Sequence, residues 1–140
     1  MQELIIIIII LPVAFSVHFV ADPVSNIGLH AILKFNSVAF NAGAGYDPHT
    51  GLFTAPASGV YAFYLTMMST GTDSAELRLV KEGTPLDYAH ANSDLFDQGT
   101  LLATTHLNAG QKVWVEHHVG TTTIKGGHWT VFTGFLLHTD

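Results

Sequence analysis

An all-β sandwich or barrel is the fold class that this sequence predicts. Short runs of alternating apolar and polar residues are separated by turn signals roughly every eight to twelve residues. No segment keeps the 3.6-residue apolar period of an amphipathic helix, and no long stretch is free of Gly, Pro or Thr. The 140 residues suffice for one domain with a sizeable core, with no internal repeat and no linker.

Residues 1–12 form an apolar leader that includes an isoleucine run from Ile5 to Ile10. Three readings stand for it. It is a poor or truncated secretory signal, since the n-region carries Glu3 and neither Lys nor Arg. Alternatively it is a start foreign to the domain, or a β-branched extension of the first strand. The run is shorter than the ~20 residues a membrane span needs, and Pro12 interrupts it, so no membrane span is expected. An uncharged isoleucine run is also a steric-zipper composition.

The domain proper is expected over residues 13–140. Val13 to Val20 alternates Val13, Phe15, Val17 and Phe19 against Ala14, Ser16, His18 and Val20, which predicts a strand. Asp22-Pro23 and Asn26-Ile27-Gly28 predict a loop, and Ala31 to Phe35 a short extended piece. Phe35 to Leu65 organises the rest. Its first half reads as turn chemistry, with Gly43, Gly45, Asp47, Pro48, Thr50 and Gly51 close together. Its second half is a strand, with Tyr61, Phe63 and Leu65 on one face and Val60, Ala62 and Tyr64 on the other. Neither face is charged. Such a strand is either central in a thick core or covered by another subunit.

Beyond the Gly71 and Asp73 turn, Ala75 to Val80 alternates again, with Leu77 and Leu79 in and Glu76 and Arg78 out. Lys81 to Pro85 turns the chain into Leu86 to Ala91, and a polar segment from Asn92 to Gly99 leads to Thr100–Leu107. After the turn at Asn108–Gln111, Lys112 to Val119 places Val113, Val115, His117 and Val119 on one face. A Thr- and Gly-rich loop over residues 120–127 precedes a final apolar strand from His128 to His138.

Composition limits function. Charged residues make up 11%, against roughly 25% in typical soluble domains, which fits a surface partly hidden in an oligomer. Five Lys and Arg against a net charge of −6 cannot build a phosphate-tracking stripe, so nucleic acid is excluded. There is no cysteine, hence no disulfide and no thiolate chemistry. No G-x-S-x-G elbow is present. His117 and His118 are adjacent on a strand and face opposite sides, a poor arrangement for one metal. The nine histidines read as polar rim and loop positions, and no enzyme is expected.

Several blocks together carry a family pattern. Phe35, Asn41, Tyr46, Phe53 and Gly59-x-Tyr61-x-Phe63 stand at the spacing of the C1q domain signature, with Leu65 where a final aromatic is expected. Ala14-Phe15-Ser16 is similar to that family's opening strand, and Leu107 to Trp114 to its leucine, turn glycine and Val-aromatic strand. Phe132-Thr133-Gly134-Phe135-Leu136-Leu137 resembles its closing block. The resemblance, to an invertebrate type without a collagen region, implies a ten-stranded jelly roll (C1q/TNF-like) assembled as a homotrimer, secreted and extracellular.

It also implies binding through exposed loops, with calcium held in several members. Leu86-Asp87-Tyr88-Ala89 resembles the family's calcium-associated segment, making Asp87 a candidate ligand together with Asp94 or Asp97. Three carboxylates within eleven residues supply the hard oxygens that Ca²⁺ takes. Tyr88, His90 and Trp129 are candidates for a ligand surface, as are His106 and His128. Trp129, however, is more often a core residue. The expected role is innate-immune pattern recognition, a lectin-like binding of microbial or host surface glycans or lipopolysaccharide. A TNF-like ligand for a cell-surface receptor and a structural secreted-matrix protein are the alternatives.

Overall fold

The structure, a computed structural model, describes residues 3–4 and 11–140, so the isoleucine run and the readings placed on it lie outside the described residues. The strands are β1 Ala14–His18, β2 Ser37–Ala42, β3 Tyr46–Asp47, β4 Leu52–Thr54 and β5 Gly59–Met68, then β6 Ala75–Lys81, β7 Thr84–Ala91, β8 Gln98–Leu107, β9 Lys112–Gly120 and β10 Val131–Thr139. A 3₁₀ turn at Gly127–Trp129 precedes β10. Two five-stranded antiparallel sheets result, in the orders β2-β1-β10-β5-β8 and β3-β4-β9-β6-β7. This is the expected ten-stranded jelly roll.

The core lies between the sheets and is dominated by aromatics. Phe15, Tyr61, Phe63, Leu65 and Phe132 from the first sheet meet Phe53, Leu77, Leu79 and Val115 from the second. The Phe15 ring is 5.0 Å from both Phe53 and Phe132 and 5.3 Å from Tyr46, centroid to centroid. Such pairs add about 0.5–1.5 kcal/mol each beyond the area they bury.

The signature residues now have physical roles. The Tyr46 hydroxyl donates to the Phe35 carbonyl at 2.8 Å, and burial holds that hydroxyl well above the usual tyrosine range. The Asn41 side chain donates to the Tyr46 carbonyl at 2.8 Å and accepts from its amide at 3.2 Å, clamping the tight loop between β2 and β3. The Tyr61 hydroxyl donates to the Ala57 carbonyl at 2.6 Å. A side chain at Gly134 would stand 2.5 Å from the Phe15 ring and 2.8 Å from Phe63, so only glycine lets those rings close over β10. Gly59 is likewise pressed against the His138 backbone. Phe135 differs from its neighbours in pointing outward.

Four expectations need correction. The first half of the organising stretch is not all turn: Ser37–Ala42 forms β2, paired with β1 at the sheet edge. Val119 does not share the inner face with Val113 and Val115, because a bulge between Glu76 and Leu77 in the β6–β9 pairing turns it to solvent. His117 is no rim residue. It is 2% exposed, its Nδ1–H donates to the Gly28 carbonyl at 3.1 Å, and its Nε2 has no hydrogen-bond partner among the described residues. The last strand begins at Val131 rather than His128, since the preceding residues close the 3₁₀ turn.

The outer face of the β2-β1-β10-β5-β8 sheet is apolar where water would be expected. In register, Leu102 lies opposite Tyr64, Tyr64 opposite Thr133, Thr133 opposite Ser16, and Ser16 opposite Phe40. The next row joins Thr104, Ala62, Phe135, Ala14 and Ala42. Leu102, Phe40, Tyr64 and Phe135 are all exposed in the single chain. No Lys, Arg, Asp or Glu stands in either row.

Candidate functional site

At one end of the sandwich, the β5–β6, β7–β8 and β9–β10 connections meet the segment that follows β1. Backbone hydrogen bonds fix them to one another: Ser69 N–H to the Asp97 carbonyl at 2.8 Å, Lys125 N–H to Met68 at 3.0 Å, and Gly127 N–H to Ala21 at 2.9 Å. Asp22 anchors the third connection, accepting from the Gly126 amide at 2.9 Å and from the Lys125 ammonium at 3.0 Å. Those two donors, the amide first, hold the Asp22 carboxyl below the usual carboxylate range. The Thr130 hydroxyl donates to the Lys125 carbonyl at 2.5 Å and accepts from the Met68 amide at 3.3 Å.

The result is an open groove of about 380 Å³ lined by Met68, Phe96, Lys125 and Trp129. Phe96 is 56% exposed and Trp129 51% exposed, so neither is a core residue, and the core reading of Trp129 is corrected. Phe96 has φ of +61°, a left-handed conformation that a bulky side chain rarely adopts and that concentrates at ligand clamps. Its loop is held by Asp97 N–H donating to the Asp94 carbonyl at 3.1 Å and Asn92 N–H donating to Asp97 Oδ2 at 2.6 Å. The Lys125 ammonium sits 5.9 Å from the Phe96 ring centroid. Apolar walls with few polar groups, at this size, are the general form of a small-ligand site.

The expected site residues divide. Asp94 and Asp97 flank Phe96 and belong to this end of the molecule. Asp87 lies within β7, opposite Leu79, where its Oδ1 accepts from the Tyr88 amide at 2.8 Å. Ala91, the end of β7, is about 13 Å further along at ~3.3 Å per residue, and the Asp94–Asp97 turn begins only after it. Among the described residues no three His, Cys, Asp or Glu side chains gather as a metal site. Within one chain Asp87 therefore stands apart from Asp94 and Asp97.

Tyr88 and His90 project from the outer face of β7 and do not line the groove. They belong to a polar sheet face that satisfies itself. Glu76 faces His118 at 2.6 Å and His90 at 3.5 Å, and the Tyr88 ring packs 5.1 Å from His118. Arg78 pairs with Glu116 at 2.7 Å, and the Trp114 indole N–H donates to the other Glu116 oxygen at 2.8 Å. The Glu116 carboxylate raises the Arg78 pKa further, fixing its charge. His106 lies opposite Val60, at the end of β5 away from the groove, and pairs with Asp140 at 2.9 Å. His128 is at the groove end, beside Trp129.

Sequence reasoning did not assign Phe96, Met68 or Lys125 to the site. The available signal was Leu95-Phe96, an apolar pair within an otherwise polar loop.

With this geometry in place, the comparisons with known proteins agree. A family model for the C1q domain matches residues 14–137. Mouse multimerin-1 is 35% identical over 76% of this chain, and a polypeptide of the mouse complement C1q subcomponent is 32% identical over 79%. The heavy metal-binding protein HIP of Mytilus edulis is 30% identical over 90% of the chain. The chain spans 9% of that multimerin, 45% of the complement polypeptide and 61% of the mussel protein. The globular domain of zebrafish complement 1qA superposes with a TM-score of 0.76 at 25% identity, covering 91% of this chain and 99% of that one. The Eiger TNF of S. frugiperda shares the fold, with a TM-score of 0.75 at 16% identity over 93% of this chain and 95% of its own. The apolar outer sheet face, the aromatic core that its signature residues build, and these matches lead to one statement: the chain belongs to the C1q domain family.

Proposed function

We propose that this chain is a secreted, non-enzymatic recognition protein that acts as a homotrimer and binds microbial or host surface glycans or lipopolysaccharide through the groove at its loop end. The observation that carries this reading is the pair of half-exposed aromatics, Phe96 and Trp129, facing one groove. Aromatic faces stack on the apolar faces of sugar rings, and an indole N–H adds a directional donor. Each site is small, so its affinity is modest. Three copies on one particle convert later contacts into intramolecular ones and raise avidity by about 10²–10⁴ without any new contact. The uncharged outer sheet face supplies a surface for the copies to share. In innate immunity such a particle would distinguish a repetitive microbial surface from a free monosaccharide.

An array of glycans and bacterial surface polymers, probed in calcium and again in chelator, tests the reading. Selective binding is expected, with Trp129→Ala weakening it about 10- to 100-fold, the size of a lost anchor residue. Trp129 is exposed, so the variant's thermal stability should stay close to that of the parent. Loss of binding in chelator, reproduced by Asp→Asn changes at Asp87, Asp94 or Asp97, would bring calcium into the site with oxygens from outside one chain. Silence across the array would reject the glycan reading and favour a protein receptor.

A further inference from the structure

We infer that acid disables this groove by forcing apart two stacked histidines, His18 and His128, that hold Trp129 in place. The inference rests on reading the groove as the recognition site, and it concerns that site's regulation. His18 closes β1, and its Nε2 lies 2.9 Å from the Ser37 hydroxyl on β2. Its ring is stacked on that of His128, with centroids 4.0 Å apart and planes at 28°. His128 immediately precedes Trp129 in the 3₁₀ turn. The turn's other tethers are hydrogen bonds at its base: Gly127 N–H to Ala21, Phe19 N–H to Gly127 at 3.4 Å, Trp129 N–H to Gly126 at 3.0 Å, the Asp22 contacts with Gly126 and Lys125, Lys125 N–H to Met68, and the buried Thr130 hydroxyl with Lys125 and Met68.

Neutral imidazoles stack without penalty. Two imidazoliums with ring centroids 4.0 Å apart repel each other, with His18 half-buried and His128 facing solvent. The other groups around the pair do not cancel that charge. On β2 Ser37 is uncharged, and the side-chain carbonyl of Asn36, just before β2, accepts from the Val20 N–H at 3.1 Å. On β10, the residues paired with β1 near this end are Phe132 and Thr133. Asp22 is the carboxylate bordering the turn, and Lys125 already pairs with it. Desolvation first, then the His128 charge, lowers the His18 pKa below 6.5. A group whose pKa is lowered in the docked form favours that form above its free value and releases it as pH falls through the lowered one. The docked turn is therefore expected at pH 7 to 8 and lost in mild acid, carrying Trp129 out of the groove wall.

The chain has two tryptophans, so Trp114→Phe leaves Trp129 as the reporter. Its emission, followed without ligand from pH 8 to 5, is expected to change with a midpoint below 6.5, and His128→Gln should abolish the change. Amide NMR of Gly127 and Trp129 in the unaltered chain reads the same event should Trp114→Phe fail to fold. A flat profile, or an identical transition in His128→Gln, overturns the inference. In the binding arm, glycan affinity should fall about tenfold or more from pH 7.5 to 5.5, as the competent fraction drops. Equal affinity at both pH values would sink the acid device and leave the recognition reading standing. A Trp129 transition with no glycan bound at either pH would do the reverse.

Discussion

Leu102→Asp is expected to yield a folded monomer in place of the proposed trimer. Leu102 is 66% exposed in the single chain, beside Tyr64 at 40%, so the substitution should change the stability of an isolated chain by no more than about 0.5 kcal/mol. In an assembly that covers this sheet face, the same carboxylate would be buried beside Tyr64, with no Lys or Arg in either row. An unpaired buried charge costs several kcal/mol, and symmetry repeats the cost in every copy. Sedimentation velocity at micromolar concentration should show a single chain mass, with circular dichroism unchanged. A variant that keeps the parent's oligomer mass would mean that some other surface joins the copies.

Phe15→Ala should cost about 3–5 kcal/mol, the range for removing a large aromatic from a core. Phe15 is 1% exposed and meets Tyr46, Phe53, Phe63 and Phe132, drawn from both sheets. Against a typical stability of roughly 5–15 kcal/mol, that is a large part of the whole. The measurement is the urea midpoint, which should fall while the slope holds. A loss below about 1 kcal/mol would show that the ring cluster is not what joins the two sheets. Phe135, from the same closing block, offers the contrast: it points outward, so its removal should act on assembly and leave the chain's own core intact.

The fold was legible because its signals are local. Alternation in Val13–Val20 and Ala75–Val80, turn glycines, and the signature spacing from Phe35 to Phe63 each reflect a backbone or packing need that one residue type meets. The uncharged second face of the Val60 strand was legible for the same reason: Ala62 and Tyr64 could not be explained by solvent. β2 was hidden because its apolar residues Val38 and Phe40 lie exposed at a sheet edge, where a bulge breaks the register and leaves no continuous inward stripe. The site was mostly hidden. The groove is assembled from three connections distant in sequence, and nothing along the chain shows that Phe96 and Trp129 share a wall. Trp129 was identified by type alone. The Asp87, Asp94 and Asp97 trio looked compact in sequence, but a strand keeps extending the chain after Asp87 and separates it from the other two. The burial of His117 follows from its alternation with Val113 and Val115, a pattern that outweighed its polarity.

The most direct test of the account is the mass of the unaltered chain at micromolar concentration, by light scattering at pH 7.5. Three chain masses, in a particle stable to dilution, are what a shared apolar sheet face and recognition by avidity require. One chain mass would contradict both, leaving a lone groove of modest affinity and no explanation for the exposed Leu102, Tyr64, Phe40 and Phe135.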